Sequence, residues 1–273
     1  MTSESRPLVL LTNDDGIASP GLMAAVGCVL DLGEVWIVAP RVQQSGVSRS
    51  FPGRKFAVEE SLISVNGVPV RSIALDTSPA DVVRNAILRF LPRPPSLVVS
   101  GINFGENVGG SVTISGTIAA AIEAASFGIP ALAASLETDR KYHFSHSDEV
   151  DFDAAASFVR RFSRWLLQHG MPKGVDILKI DVPSDANSDT RWKVTRLSRQ
   201  QYWVNAVTLD RQGRKQLSSY AKQIDLDTLE PDSDIHALAV DRVVSVTPLT
   251  LDFTAKVSLS RLEQTLAESN AVG

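Results

Sequence analysis

The chain reads as an α/β protein: a doubly wound, mostly parallel sheet in a Rossmann-like, three-layer arrangement, followed by a β-rich C-terminal appendage. Three observations predict this. Short apolar runs bounded by turn residues alternate with longer segments of helical spacing as far as Val182, as in repeated βα units. Those runs are continuous in hydrophobicity, as strands buried on both faces are. Beyond Val182 the pattern changes to alternating, hairpin-like stretches. The expected division is a core over residues 1–184 and an appended region with a final helix over 185–273.

The first strand is Leu8–Leu11, which stops at Asn13-Asp14-Asp15, and Gly16 lets the chain turn. Ser19 and Pro20 suit the start of a helix that carries Leu22, Val26, Val29 and Leu30 at helical spacing and ends at Gly33. A second strand, Glu34–Ala39, follows at once, so the opening segment is a βαβ unit. Leu62–Val65 and Val70–Leu75 flank Asn66-Gly67, a strong hairpin signal. A helix is expected from Asp76-Thr77-Ser78-Pro79 through Leu91, and a third strand at Ser96–Ser100 running on to Asn103. Phe104–Thr113 is a glycine-rich loop. It leads into an alanine-rich helix that Gly128 and Pro130 terminate, and Ala131–Leu136 is the next strand. Phe152–Gln168 has one apolar helical face, and Asp176–Val182 is a further buried strand. Trp192–Leu197 and Tyr202–Leu209 alternate as hairpin partners would. A polar stretch then runs to Asp234, before a strand at Val243–Leu249 and a helix at Leu259–Ser269.

The 273 residues carry a formal net charge of −4 and a pI near 5.6, which argues against a broad nucleic-acid-binding face. Cys28 is the single cysteine, so no disulfide framework exists within one chain. The N-terminal MTSESRPLVLL lacks a leader pattern and no apolar run reaches membrane-spanning length. The expectation is a cytoplasmic protein with no membrane partner.

Three polar segments each follow a predicted strand and so converge on one rim of the sheet: Asn13–Gly16, Arg41–Ser50 and Ile102–Thr117. Ligands in open α/β sheets bind at that rim. Asp14 and Asp15 are adjacent carboxylates that a hard divalent cation would reconcile; the alternative is that one of them merely caps the next helix. The polar groups of the three segments are oxygen and amide, with no Cys or His, which favours Mg²⁺, Mn²⁺ or Ca²⁺ over zinc. Ser115-Gly116-Thr117 opens the alanine-rich helix, whose free N–H groups and partial positive charge suit a phosphate. Equally, Ser115 or Thr117 could be no more than a cap. A P-loop and a dinucleotide fingerprint both fail, the first for want of Gly-Lys-Ser/Thr, the second because acids stand where a pyrophosphate would lie. A metal site beside an anion-binding helix start is suited to phosphate-ester hydrolysis. His143 and His146 lie in a charged stretch and read as solvated, His169 as a helix C-terminal cation, and His236 is not placed by pattern.

Three segments carry a family resemblance. LLTNDDGIASPGL, APRVQQSGVS and VVSGINFGENVGGSVTISGTIAAAIEA resemble, in that order, the signature segments of the SurE family (stationary-phase survival protein E). The resemblance runs from about residue 8 to 136, and more weakly through LKIDVP and VVSVTPL. It implies a metal-dependent 5′-nucleotidase acting on nucleoside 5′-monophosphates, with tolerance for 3′-monophosphates and short polyphosphate. It places metal ligands on Asp14, Asp15, Ser45 and Asn103, with Asp14 and Asp15 as catalytic groups. Substrate phosphate falls on Asn103, Gly105, Ser115, Gly116 and Thr117. It also implies one Mg²⁺ or Mn²⁺ per subunit, with Ca²⁺ able to substitute in crystals. A homodimer or tetramer follows too, formed through the C-terminal region. The chain departs from the family pattern at Thr77-Ser78-Pro79-Ala80-Asp81, Ile114 and Asp232-Ser233-Asp234. Phe104, Tyr202 and Trp203 are candidates to stack on a base. Two other readings stand beside this one: a non-hydrolytic nucleotide or metal sensor on the same scaffold, and a phosphatase for another small phosphate ester.

Overall fold

In the computed structural model, residues 6–53 and 55–269 are described. Residues 1–5, part of the segment expected to carry no leader, lie outside them. Leu8–Thr12 forms the central strand β1 and is buried throughout. Val9 and Leu11 enter one core, Leu8 and Leu10 the other, so these four positions are all apolar.

Pro20–Val29 forms α1 and Glu34–Pro40 forms β2, parallel to β1. Ser19 occupies the position before α1, but its hydroxyl makes no capping bond. Val58–Val65 and Val68–Leu75 are the antiparallel pair β3 and β4. Asn66 and Gly67 between them both have positive φ, as the tight hairpin turn requires. Pro79–Asn85 is α2, prolonged by a π-turn over Ala86–Phe90. Then come Leu97–Phe104 (β5), Gly116–Ser126 (α3), Ala131–Leu136 (β6), Asp153–His169 (α4) and Ile177–Val182 (β7).

The remaining elements are Trp192–Val194 (β8), Trp203–Leu209 (β9), Lys215–Lys222 (β10), Asp234–Ala239 (α5), Val244–Leu249 (β11) and Leu259–Ser269 (α6). The hairpin expected from Trp192–Leu197 and Tyr202–Leu209 does not form. β8 lies parallel to β11 at the edge of the main sheet, while β9 pairs antiparallel with β10 in a separate two-stranded ribbon. β10 was hidden in the polar stretch because an exposed ribbon strand needs no apolar alternation: Lys215, Gln216, Leu217 and Ser219 all face solvent.

The main sheet has the order β3-β4-β2-β1-β5-β6-β7-β11-β8. Its six central strands, β4 to β7 in that order, run parallel, with α1 and α4 on one face and α2 and α3 on the other. The three-layer, doubly wound expectation holds. The chain lays β2 and β4 on one side of β1, then returns to lay β5, β6 and β7 on the other. The order therefore reverses between β1 and β5, where their carboxyl ends flank a crevice suited to ligands. Among the described residues no helix is long and apolar enough to cross a membrane.

Candidate active site

Asp14 and Asp15 leave β1 at this crevice. The Asn13 carboxamide accepts the Gly16 N–H at 3.2 Å and donates to the Gly16 carbonyl at 3.0 Å, closing the turn that carries them. Both carboxylates are almost fully buried. Asp14 accepts the Thr117 hydroxyl at 2.5 Å, and the N–H groups of Gly116 and Thr117 at the start of α3 also favour its charge. Asp15 accepts the Phe104 N–H and the Gln43 side-chain amide, each at 3.1 Å. Burial holds both carboxyls above their ordinary range, and the neighbouring Asp14 charge raises Asp15 further. Neither strand-end acid is idle capping: the pair is short of positive charge.

Asn103 is the last residue but one of β5, just after the ladder with β6 slips between Ser100 and Asn103. Its amide nitrogen donates to the Gly105 carbonyl at 2.6 Å, leaving its oxygen 3.2 Å from the Thr117 hydroxyl. Ser45 sits on the exposed rim loop, its hydroxyl 2.9 Å from the Gln43 amide nitrogen. That loop is stitched to both neighbours, by the Gln44 N–H to the Asp14 carbonyl at 2.7 Å and the Ser48 hydroxyl to the Thr113 carbonyl at 2.9 Å. Ser115 caps α3, accepting the Ile118 N–H at 3.2 Å. A Cβ on Gly116 would fall 2.6 Å from Asp14 Cβ, so only glycine lets α3 begin this close to the carboxylate.

Asp14, Ser45, Asn103, Gly105 and Ser115 line one cavity of about 360 Å³; Asp15 and Thr117 do not line it but bond residues that do, Asp15 to Phe104 and Thr117 to Asn103 and Asp14. Among the described residues no group of three or more His, Cys, Asp and Glu could hold a metal ion. What Asp14, Asp15, Ser45 and Asn103 would offer a cation is two carboxylates, a hydroxyl and a carboxamide oxygen. That all-oxygen set suits a hard divalent ion.

Trp203, Tyr220 and His143 form an aromatic wall across the cavity. His143 meets Trp203 edge-on at 5.4 Å, and its Nδ1 lies 3.0 Å from the Tyr220 hydroxyl. The expectation of a solvated His143 is overturned: only 9% of it is exposed, and burial lowers its pKa. His146 is exposed, as expected, and its Nε2 donates to the Asp15 carbonyl at 2.9 Å. His169 does end α4, bonded to the Trp165 carbonyl, and His236 lies on α5 beside Asp241, away from the cavity. Of the stacking candidates, Tyr202 is buried behind the wall with its hydroxyl on Glu106. Phe104 lines the cavity with its ring edge-on against Phe152, and Trp203 belongs to the wall. Pattern reading missed Tyr220, which sits in the polar β10.

Behind the loop after β5 lies a buried ionic group. Lys179 contacts Asp181, and lies 3.2 Å from Asp234 and 3.1 Å from the Asn107 carbonyl. Asp181 accepts the Asn107 N–H at 2.8 Å, and Asp234 accepts the N–H groups of Gly109 at 3.0 Å and Ser198 at 2.9 Å. The triad ties the loop to β7 and to the start of α5.

A family model described as "Survival protein SurE" matches residues 9–204. The chain belongs to the SurE family. Two curated relatives, each named 5′-nucleotidase SurE, extend the likeness beyond that model. The one from Thermococcus gammatolerans is 41% identical over 94% of this chain and 95% of its own length. The one from Methanothrix thermoacetophila is 43% identical over 93% and 96%. The crystal structure of the SurE protein from Aquifex aeolicus matches with a TM-score of 0.78 at 28% identity, covering 95% of this chain and 100% of that one. SurE membership accounts for the shared architecture. The three signature segments meet at the one crevice between β1 and β5.

Proposed function

We propose that this SurE-family chain is a phosphoric monoester hydrolase that converts nucleoside 5′-monophosphates to nucleoside and phosphate. The observation that carries this is the meeting of the buried Asp14–Asp15 pair with the N-terminus of α3, inside a cavity walled by Trp203, Tyr220 and His143. The names of the Thermococcus and Methanothrix relatives support the substrate class. Asp14, Asp15, Ser45 and Asn103 hold one divalent cation per subunit, Mg²⁺ or Mn²⁺. When bound, that cation acidifies a water and polarises a phosphoryl oxygen. The α3 start at Ser115, Gly116 and Thr117 holds the remaining phosphoryl oxygens, with the Ser115 hydroxyl as a donor and about half a positive charge concentrated at the helix start. Gly105 and Asn103 bound the phosphate on the β5 side, and the aromatic wall takes the base. Because the recognised group is the phosphoryl, 3′-monophosphates and short polyphosphate fit the same seat.

In this reading residues 1–184 carry the chemistry, and 185–273 supply Trp203 and Tyr220 of the wall and the surface for a second copy. Phe253, Leu259 and Leu262 expose apolar side chains in the C-terminal segment, which suits a homodimer; Val207, Leu209 and Leu217 on the ribbon do the same for a tetramer. A cytoplasmic setting agrees with the single cysteine. The test is phosphate release from nucleoside monophosphates, sugar phosphates and polyphosphate with each metal, comparing wild type with Asp14→Asn and Asp15→Asn. Loss of release in both variants is expected. Wild-type turnover in both overturns the assignment, and tight nucleotide binding without release by the wild type points to a sensor.

A further inference from the structure

One side chain joins three parts of the site that are remote in sequence. Gln43 Nε2 lies 3.1 Å from Asp15 Oδ1, 2.9 Å from Ser45 Oγ and 2.7 Å from the His143 carbonyl. A carboxamide nitrogen carries two hydrogens, so three acceptors compete for them and hold the group from three sides. Its backbone is equally constrained. The next residue's N–H bonds the Asp14 carbonyl at 2.7 Å, and a Cβ on Gly16 would lie 3.3 Å from Gln43 N. The chain therefore cannot carry the carboxamide away from β1.

We propose that Gln43 is a positioning residue for the cation seat, aligning the Asp15 carboxylate and the Ser45 hydroxyl toward the same point. The inference rests on the proposed cation site. Asp15 has a second, rigid donor in the Phe104 N–H, so Gln43 settles the rotation of the carboxylate about that anchor. Ser45 stands on an exposed loop, where an unrestrained hydroxyl samples several rotamers. Gln43 holds it in one. Through the His143 carbonyl the same amide holds the segment that bears one member of the aromatic wall, so cation seat and substrate wall share a contact. Nothing in the rim loop's composition marks Gln43 apart from Gln44, its neighbour; the distinction is made by the three contacts.

The experiment is a Mn²⁺ titration of the purified full chain, followed by the electron paramagnetic resonance signal of free Mn²⁺, with no substrate present. It compares wild type, Gln43→Met, Gln43→Asn and the neighbour control Gln44→Met. Groups that orient a metal ligand are worth about 10–100-fold in metal affinity, and that weakening is expected in both Gln43 variants and not in the control. Asn keeps the amide but withdraws it by one methylene, so it gives the answer if the Met variant fails to fold. Saturating Mn²⁺ is expected to restore turnover, because a ligand set that is merely unaligned is still complete. A purely structural role predicts the reverse, a lower melting temperature and lower turnover at unchanged Mn²⁺ affinity, and overturns the inference. So does wild-type affinity in the folded Gln43 variants. A wild-type chain that binds no Mn²⁺ overturns the cation site itself, a separate and recognisable failure.

Discussion

Replacing Lys179 by methionine removes a buried cation from between two buried carboxylates. Lys179, Asp181 and Asp234 are all fully buried. Burial pulls the lysine pKa down, yet the two carboxylates together hold it above its ordinary value. Burial pushes the Asp181 carboxyl up to about 6 against the pull of that ammonium. Removing one partner of a buried ion pair costs about 3–5 kcal/mol, because the remaining charge is left uncompensated. Against a total stability of about 5–15 kcal/mol, that loss is large. The change also takes the donor from the Asn107 carbonyl, so the loop after β5 loosens with it.

The pH dependence gives the reasoning a sharper edge. In the folded chain Asp181 keeps its proton up to about pH 6, against 3.8 for an ordinary carboxyl. Between those values the folded state holds more protons than the unfolded one. Stability from this group therefore falls as pH rises through the window and is highest below it. Without Lys179 the carboxyl rises further, and two negative charges repel until one is protonated. The deficit of Lys179→Met relative to wild type is then greatest near neutral and alkaline pH and shrinks on acidification. Urea unfolding followed by circular dichroism at about pH 8 and about pH 5 measures it. A deficit no larger than one ordinary hydrogen bond, about 1 kcal/mol, or one equal at both pH values, refutes the argument.

Gly116→Ala places a methyl 2.6 Å from Asp14 Cβ. The clash outweighs alanine's better helix propensity and lowers stability by about 1–3 kcal/mol, while displacing the start of α3 costs turnover on the order of 100-fold; thermal melting and steady-state kinetics read the two. Trp203→Ala removes part of the aromatic wall, and base stacking is worth about 1–3 kcal/mol. It should raise KM for nucleoside monophosphates and leave a small non-aromatic phosphate ester unaffected; equal losses on both would show that Trp203 does not meet the base. Mn²⁺ at about 100 times its Kd should stabilise the chain by about 2.7 kcal/mol. Because Asp14 and Asp15 must lose their protons to ligate, the melting shift should grow from acid to neutral pH and vanish in Asp15→Asn.

How far the sequence could be read depended on whether a residue's role left a local pattern. β1 was legible because a strand buried on both faces must be apolar at each step, and the acids at its end therefore stood out. The rim loop's composition indicated oxygen donors without selecting Ser45 among its serines; the family resemblance did that. Lys179 and Asp181 lay in plain view within DILKIDV. Two opposite charges two residues apart on a buried strand share one face and require a third partner, yet Asp234 comes from α5, far along the chain. Gln43, His143 and Tyr220 left no pattern at all. Their roles arise from contacts between segments that only the folded chain brings together, such as His143 with Tyr220, and no periodicity encodes such a pair.

The loop that leaves β5 shows why these groups act together. Three of the N–H groups from its start onward are claimed by carboxylates from different elements: Phe104 by Asp15, Asn107 by Asp181, Gly109 by Asp234. The segment carries Gly105 at positive φ, bonds β6 through the Gly105 N–H to the Leu136 carbonyl at 2.9 Å and enters a short 3-10 helix at Gly109–Thr113; between those points the acids hold its path. Glu106 then reaches outward from the same loop, accepting the Tyr202 hydroxyl at 2.8 Å and pairing with Lys222 at 2.7 Å. Tyr202 and Lys222 immediately flank and terminate the ribbon that carries Trp203 and Tyr220. The aromatic wall is thus held at the cavity by a carboxylate on the loop that the buried triad holds in turn. Shifting Asp181 or Asp234 moves the wall as well as the loop. This is why removing the charge at Lys179, which lies behind the cavity lining at Asn107, should be felt in nucleotide KM before it is felt in the seat between Asp14 and Asp15.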